Sequence, residues 1–544
     1  MQMETFQWKK NQTLAEDYIT GKGKAKSLFP YHFGNAEDWQ ARVNWLDGAA
    51  EAPHVVREQL VGVLEAYNRR VGNTGMALEY IAALGDQQTL AIVGGQQAGL
   101  FGGQLMILYK AITIIQLARE WRTKLQRTVV PIFWIAGEDH DFDEVNHVHV
   151  LSNAQQIEKL KVEHPTGIRT SVSRLPLSSE AWEEALNKLD QSLMDTEFKA
   201  SLLDKMRSAA GDGATLSDAF ARWMAMLFGE YGLVLIDADE PSVRTLESSM
   251  FESMVEQNES FAASLMHSQA EVSQAGYGIQ AEIHEDAANL FVFAEGARLL
   301  LHREGEYFTD KKKMVRYTKA DLRDKAISTP DQLSNNVMSR PLMQEYLFPV
   351  LATVLGPGEI AYWALTKQAF ENFRMRMPIV VPRLEFTLIE GTIKKQMDKY
   401  ELTLTDVLER FDEKKQAWLD AQDTLQLNER FETVKESFLS TYAPLVESLS
   451  GINPGVKKLG DTNLAKIVEQ IDYLHHKASE ASHTQFDAAI RQLERVRLTI
   501  FPLAKPQERV YNGCAYLNRY GNVWLHHLLE TPIPVDGTHR IYYL

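Results

Sequence analysis

The stretch TLAIVGGQQAGLFGGQLMILYKAITIIQLAREWRTKLQRTVVPIFWIA, Thr89 to Ala136, decides the fold. It opens on a short apolar run, TLAIV, turns through glycines, continues as a helix from about Gln104 to Trp121 and closes on a second apolar run, TVVPIFWIA. Two such runs around a helix predict a β-α-β unit whose parallel strands are buried on both faces. The turn resembles a phosphate loop without its lysine. Gly94 and Gly99 keep the G-x-x-x-x-G spacing, but Leu100 and Phe101 follow where Lys and Ser/Thr belong, and Lys110 lies two helical turns too deep to substitute. Glycines still let the backbone approach a ligand, and the N–H groups heading the next helix favour an anion. Two readings stay open. One is a ligand corner lined by Gly94, Gly95, Gln96, Gln97, Gly99, Phe101 and Gly102, with a positive φ at Gly99; the other is a tight crossover that packs helix on sheet. The paired amides of Gln96 and Gln97 favour the ligand, since they can read hydroxyls or a carboxylate.

The β-α-β unit recurs downstream. SDAFARWMAMLFGEYG reads as a helix feeding the strand GLVLIDAD, which ends in Asp237 and Asp239, so a third α/β repeat is expected. Upstream, residues 1–88 read as mainly helical, with Leu60, Val63, Leu64 and Tyr67 at helical spacing. The core spans 89–390, with insertions at about 155–215 and 270–330; in the second, ANLFVFAEGARLLLHREG predicts a hairpin about Glu295-Gly296. PLMQEYLFPVLATVLGPGEIAYWALTKQAF reads as dense helix before a last apolar run, MPIVVPR. From 391 to 500 two arms step in fours and threes, one through Val407, Phe411, Lys414, Trp418, Ala421 and Leu425, the other through Leu464, Ile467, Ile471, Leu474, Ala478 and Ala481. Pro444, Gly451, Pro454 and Gly455 lie between them as turn residues, so an antiparallel helical coiled coil is expected, with a second copy as the natural partner for its stripe. The aromatic segment 501–544 is expected to pack back on the core.

Composition sets the limits. The 544 residues are 45% hydrophobic and 24% charged, enough for a sizeable core and several domains. No apolar run reaches the roughly 18 residues of a membrane helix, and the start, MQMETFQWKKNQ, lacks a signal-peptide core, so a cytoplasmic protein without membrane partners is expected. Acidic residues outnumber basic ones 73 to 57, and the net charge of −16 argues against a nucleic-acid partner. The one compact basic run, Lys311 to Lys313, reads as a solvated turn. A single cysteine, Cys514, excludes an internal disulfide and a zinc site built on several thiolates.

Chemistry concentrates at the second strand's end. FWIAGEDHDFDEVNHVHV places Glu138, Asp139, His140, Asp141, Asp143 and Glu144 at the carboxyl edge, where open α/β sheets hold ligands. So many carboxylates need solvation, cations or a metal. Asp139 with His140 suits a general-base pair, Asp141 and Asp143 suit a Mg²⁺-nucleotide, and His147 with His149 can share a strand face as metal ligands. A third group, SNNVMSRPLMQE with GPGEIAYW, offers Asn335, Asn336 and Arg340 as donors and a carboxylate clamp, or as ordinary caps and turns.

Taken together, VGGQQAGLFGG, PIFWIAGEDHDFDEVNHV, SNNVMSRPLMQEYLFP, GPGEIAYWALTKQAF and PQERVYNGCAYLNRYG resemble the bacillithiol biosynthesis cysteine-adding enzymes, a family of cysteine ligases, over nearly the whole chain. The resemblance implies a Rossmann-like core similar to that of class I aminoacyl-tRNA synthetases, with connecting-peptide insertions and a coiled coil that forms a homodimer. It implies a ligase joining L-cysteine to the glucosamine amine of glucosaminyl malate. GGQQAGLFGG would occupy the corner where a synthetase carries H-I-G-H; the histidines are absent, and KKKMVRYTK, Lys311 to Lys319, only loosely echoes K-M-S-K-S. Activation of the cysteine carboxylate implies ATP or another nucleotide with Mg²⁺. Within that reaction Gly94 to Gly103 would line the activation site, Asp139 or His140 would deprotonate the amine, and Asn335, Asn336 and Arg340 would grip the malate carboxylates. Two readings from other classes compete: a dimeric small-molecule-binding scaffold, and a metal-dependent hydrolase using the cluster from Asp139 to His149.

Overall fold

The computed structural model describes residues 2–49, 52–152, 156–422 and 426–544. The chain divides into two units, Met1–Leu388 with Pro506–Leu544, and Ile389–Lys505.

The first unit is built on five strands: β1 (Leu90–Gln96), β2 (Val129–Ile135), β3 (Val234–Asp237), β4 (Val350–Leu355) and β5 (Ile379–Pro382). They lie side by side as β5-β4-β1-β2-β3, all parallel. Read from the other edge the order is 3-2-1-4-5, the doubly wound pattern, and it reverses between β1 and β4. Apolar residues alternate between the faces of the sheet and feed two cores. Leu90, Ile92, Val129 and Phe133 join one core with α1 (Leu105–Leu125) and α2 (Leu216–Phe228). Ala91, Val93, Val130 and Trp134 join the other with α3 (Pro241–Glu256), α4 (Arg340–Leu347) and α5 (Pro357–Trp363). Burial on both faces removes the polar half of a strand's alternation and leaves short apolar runs.

The β-α-β unit of Thr89 to Ala136 and the third repeat form as their patterns require. Thr215 and Asp218 cap α2 reciprocally, the hydroxyl accepting from Asp218 N at 3.1 Å and the carboxylate from Thr215 N at 3.1 Å. Two expectations fail. β1 runs on through Gly94, Gly95 and Gln96, which are therefore strand and not turn. PVLATVL, read as part of a dense helical stretch, contains β4 between Pro349 and Gly356-Pro357. Within the second insertion, Ala287–Ala294 pairs with Ala297–Glu304 through Glu295 and Gly296, whose φ values of 51° and 77° fit a two-residue turn of positive φ. Leu333–Asn335 joins that hairpin as the neighbour of its first strand. The N-terminal segment is mainly helical but begins with a strand, Gln2–Phe6, paired antiparallel with His539–Tyr543. No helix among the described residues is long and apolar enough to cross a membrane.

The second unit is helical. Its two longest helices are α6 (Leu427–Ser448) and α7 (Pro454–Gln485), and α8 (Asp487–Ile500) follows. Phe431 stacks on His475, Lys435 pairs with Asp472 at 2.8 Å, and the Tyr442 hydroxyl donates to Asn463 at 2.7 Å. As one residue number rises its partner's falls, so α6 and α7 are antiparallel. Pro444, expected between the arms, lies inside α6. The arm expected through Val407 is not a helix of this hairpin: Val407 lies in Leu404–Glu409 and Phe411, Lys414, Trp418 and Ala421 lie in Phe411–Gln422, both before α6, while Leu425 lies outside the described residues. Ile467 and Ile471 are half-buried and Leu474 is exposed, so the hairpin covers only part of its stripe.

Candidate active site

The glycine-rich run splits into two halves with different tasks. Gly94 is a packing residue: a Cβ there would lie 2.8 Å from Ile114 Cδ1 and 3.1 Å from the Val354 carbonyl. Gly95 faces the reversal point, where a Cβ would run into the Arg340 guanidinium and lie 2.7 Å from the Trp134 carbonyl. Arg340, at the start of α4, stacks over the Trp134 ring at 5.2 Å, and its guanidinium makes no hydrogen bond or ion pair among the described residues. Lys110 reaches this run, but it is buried and its three N–H donors are spent on protein acceptors. From α1 its ammonium reaches back to donate to the Gly95 carbonyl at 2.7 Å, to Gln96 Oε1 at 3.0 Å and to Glu359 Oε2 at 2.5 Å. Burial lowers the Lys110 pKa, against the pull of Glu359.

The second half of the run is a structural knot. Gly99 has an ordinary φ of −73°, contrary to the expected positive value, and a Cβ on it would lie 2.6 Å from the Gly103 Cα. The positive φ values fall on Phe101, Gly102 and Gly103, and Gly102 sits against the Trp223 indole. Asn512 ties the turn to the C-terminal segment, donating to the Phe101 carbonyl at 3.0 Å and the Gly103 carbonyl at 2.5 Å. Gly99, Phe101 and Gly102 are thus enclosed by protein. Cys514 is buried beside them, and burial pushes its thiol pKa up.

At the end of β2 the carboxylates separate by environment. Glu138 is buried and accepts from Arg244 at 2.5 Å, Ser334 Oγ at 2.8 Å and Asn335 N at 3.1 Å. Asp139 receives Gln97 Nε2 at 2.6 Å on one oxygen and the backbone N–H groups of His140, at 2.7 Å, and Asp141, at 3.3 Å, on the other. Gln97 also reaches Glu144 at 2.9 Å, so it bridges the ends of β1 and β2. Arg298 donates to His140 Nδ1 at 3.0 Å. Burial, seconded by the Arg298 charge, lowers the His140 pKa. Asp141 lends this corner its backbone N–H just before the short helix Phe142–Val145, whereas the Asp143 carboxylate, 83% exposed, meets Asn146 at 3.2 Å. The His147 and His149 rings lie 5.4 Å apart, yet among the described residues no three His, Cys, Asp or Glu side chains are grouped to hold a metal ion. The hydrolase reading has no ligand set there.

Asn335 and Asn336 also divide. Asn335 is 1% exposed, with both side-chain polar atoms lacking a partner, an arrangement that folded proteins rarely leave without a ligand or water. Asn336 is committed: its Oδ1 accepts from Met338 N and Ser339 N, both at 2.9 Å, and its amide donates to Asn289 at 3.1 Å, building the turn into α4. β3 contributes Asp237, which accepts from Ser173 Oγ at 2.6 Å and whose pKa burial pushes up to about 7. Arg174 clamps Asp239 at 2.6 and 2.8 Å. Sequence reasoning missed Arg298, Arg244, Ser173 and Arg174. The one signal for Arg298 is a charge on the hairpin strand ARLLL.

A parallel sheet in 3-2-1-4-5 order, with a free guanidinium at its reversal point and a polar corner beside it, defines a Rossmann-like domain, here joined to a helical unit. Residues 1–384 match the family model described as "Bacillithiol biosynthesis BshC, N-terminal Rossmann-like domain", and residues 386–544 match "Bacillithiol biosynthesis BshC, C-terminal coiled-coil domain". The chain belongs to the BshC family of bacillithiol biosynthesis and is an enzyme, a ligase. Curated relatives named "Putative cysteine ligase BshC" are 36% identical in Geobacillus kaustophilus and in Geobacillus thermodenitrificans, over 98% of this chain and 98% of each relative. The Bacillus cytotoxicus relative of the same name is 33% identical over 97% of this chain and 98% of its own. A solved structure titled as a putative arginyl t-RNA synthetase from Campylobacter jejuni covers 83% of this chain and 98% of its own, at 9% identity and a TM-score of 0.23, a likeness too weak to carry an argument.

Proposed function

We propose that the chain joins the carboxyl group of L-cysteine to the amine of glucosaminyl malate, the step that completes bacillithiol, in the crevice between β1 and β4. Membership in a family whose curated relatives are named cysteine ligases supports the amino acid and the reaction class. The observation that carries the site is Arg340. A guanidinium stacked on Trp134, with no acceptor of its own, stands against a strand position that only glycine can fill, at the point where doubly wound sheets take anionic ligands. That cradle fits a carboxylate of the malate or a phosphate of a nucleotide.

Amide formation from a free acid is uphill in water. A nucleoside triphosphate with Mg²⁺, bound at this cradle, would supply the activation of the cysteine carboxylate. Arg340 and the backbone of Gly95 to Gln97 are the groups placed to hold it, and Mg²⁺ commonly travels with such phosphates on one or two carboxylates. Asn335 offers a buried amide for a substrate hydroxyl or carboxylate. The sugar amine arrives as an ammonium with no lone pair, so a proton must leave it; the corner of Asp139 and His140 takes that proton. The helical unit brings two copies together as a homodimer, supported by the apolar residues it leaves exposed.

Purified protein incubated with cysteine, glucosaminyl malate, Mg²⁺ and one nucleotide at a time tests the reading by mass spectrometry. Bacillithiol is expected with at least one nucleotide, and the co-product identifies AMP or ADP release. Arg340→Met should raise KM for the reactant whose anion it holds, separating malate from nucleotide. No product with any nucleotide would overturn the proposal.

A further inference from the structure

Asp139 and His140 look interchangeable as bases, but the hydrogen bonds around them are not symmetric. We infer that Arg298 fixes His140 as the neutral tautomer protonated on Nε2, which makes His140 a hydrogen-bond donor to the reactants and leaves the base role to Asp139. The inference rests on the proposed reaction only in placing the reactants at this corner.

A guanidinium has five N–H donors and no acceptor. Arg298 is buried and held in place: Nε donates to Ser334 Oγ at 2.9 Å, Nη2 donates to the Asn335 carbonyl at 2.5 Å, and the group lies 3.8 Å over the Phe291 ring. Its remaining nitrogen, Nη1, stands 3.0 Å from His140 Nδ1. A bond at that distance requires a lone pair on Nδ1, so the single proton of neutral imidazole sits on Nε2. A second proton on Nδ1 would set N–H against N–H. The charged groups acting on the ring are Arg298, Asp139, Arg169 and Asp141. Asp139 Oδ1 is 3.9 Å from Nδ1, beyond hydrogen-bond reach, so the familiar pairing in which a carboxylate takes Nδ1–H and frees Nε2 as a base is not made. Nε2 itself makes no hydrogen bond among the described residues, and the side chain is 20% exposed. An N–H without a partner among the described residues is placed to meet negative charge developing on an oxygen of the reactants. Asp139 has about four lone-pair sites, of which three N–H groups take three, leaving one for the proton of the incoming amine.

The test is nitrogen NMR of the full chain labelled with 15N-histidine, the His140 signals being assigned by their loss in His140→Gln. At neutral pH Nε2 is expected at a protonated shift and Nδ1 at an unprotonated one; the reverse pattern, or two protonated nitrogens, overturns the inference. In Arg298→Met the His140 signals should move toward a tautomer mixture and titrate at higher pH, and Arg298→Lys, which restores a donor, should move them back. Signals unmoved in Arg298→Met would show that Arg298 is not the cause. In turnover, His140→Gln keeps an N–H near the Nε2 position and is expected to lose no more than about tenfold, whereas Asp139→Asn should lose about 10²–10⁴-fold. Equal losses in the two would overturn the division of roles. A wild type that forms no bacillithiol would remove the proposed reaction while the spectrum still decides the tautomer.

Discussion

Gly95 and Gly99 stand four residues apart in one run, and a methyl group at each should fail for a different reason. At Gly95 it meets the tip of Arg340, which can swing away, and the Trp134 carbonyl, which cannot. Gly95→Ala is expected to displace the guanidinium and raise KM for the anionic reactant by about tenfold or more, the scale of one lost charged contact. At Gly99 it meets the Gly103 backbone and not Arg340, so Gly99→Ala should cost about 1–3 kcal/mol of stability and leave KM unchanged. Thermal unfolding and kinetics measured on both variants separate these outcomes; a KM change at Gly99 would return the whole run to the site. Asp237 gives a pH signature. Its folded pKa of about 7 lies above the ordinary 3.8, so the stability it contributes is complete below the ordinary value and is lost as pH rises through about 7. Asp237→Asn is neutral throughout. Its Tm relative to wild type should therefore rise between about pH 6 and about pH 8, and a constant difference would mean that Asp237 is ionised in the fold at both. The sequence marked the glycines and the acidic run because both are local in the chain. It could not mark Arg298, which meets His140 across 158 positions, nor sort Asp139 from Asp143, since exposure is a property of the folded chain.

β4 is the element the sequence hid. Val350–Leu355 is buried at every position, Thr353 included, so it shows no alternation, and a short, mostly apolar run between helices is indistinguishable by period from more helix. Its flanks, Pro349 and Gly356-Pro357, were the available signal. The omission matters because the reversal between β1 and β4 makes the crevice, and without β4 the β-α-β unit has a carboxyl edge but no reversal. Lys110 joins the two sides: one ammonium from α1 holds the end of β1 and, through Glu359, the start of α5 after β4. Glu359 in turn accepts from Gly356 N at 2.7 Å. Lys110→Met leaves a largely covered carboxylate without its cation and is expected to cost about 3–5 kcal/mol. Lys110→Met with Glu359→Gln should recover much of that loss, because the uncompensated charge is gone. Denaturant unfolding of the four forms of the cycle measures the coupling, and additivity within a few tenths of a kcal/mol would deny that the pair links β1 to α5.

At the scale of the whole molecule, the assembly turns on what the helical hairpin leaves uncovered. Of the two arms that the 4-3 steps marked, the one from Leu464 to Ala481 lies in α7, but the one through Val407 falls in shorter helices before α6, so the repeat marked one helix of the hairpin and misplaced the other. Nor could it show exposure, because the same repeat serves a seam inside one chain or between two. Ile467 and Ile471 are half-buried within their own unit, so charging them would disturb the monomer as well as any dimer. Leu459 is 73% exposed, Tyr473 57% and Leu474 59%. On α7 the last two follow Leu459 by about four helical turns, so all three fall on one side of the helix. Aspartate at Leu459 and Leu474 meets water in the monomer, where it costs little, but in a two-chain seam it would leave unpaired buried charges worth several kcal/mol. The double variant is therefore expected to keep a native circular dichroism spectrum while light scattering falls from the mass of two chains to that of one. A wild type already monomeric at working concentration would remove the homodimer from the proposed function. A variant that stays dimeric would move the interface to another face, and turnover of the variant would then show whether one copy suffices for the chemistry.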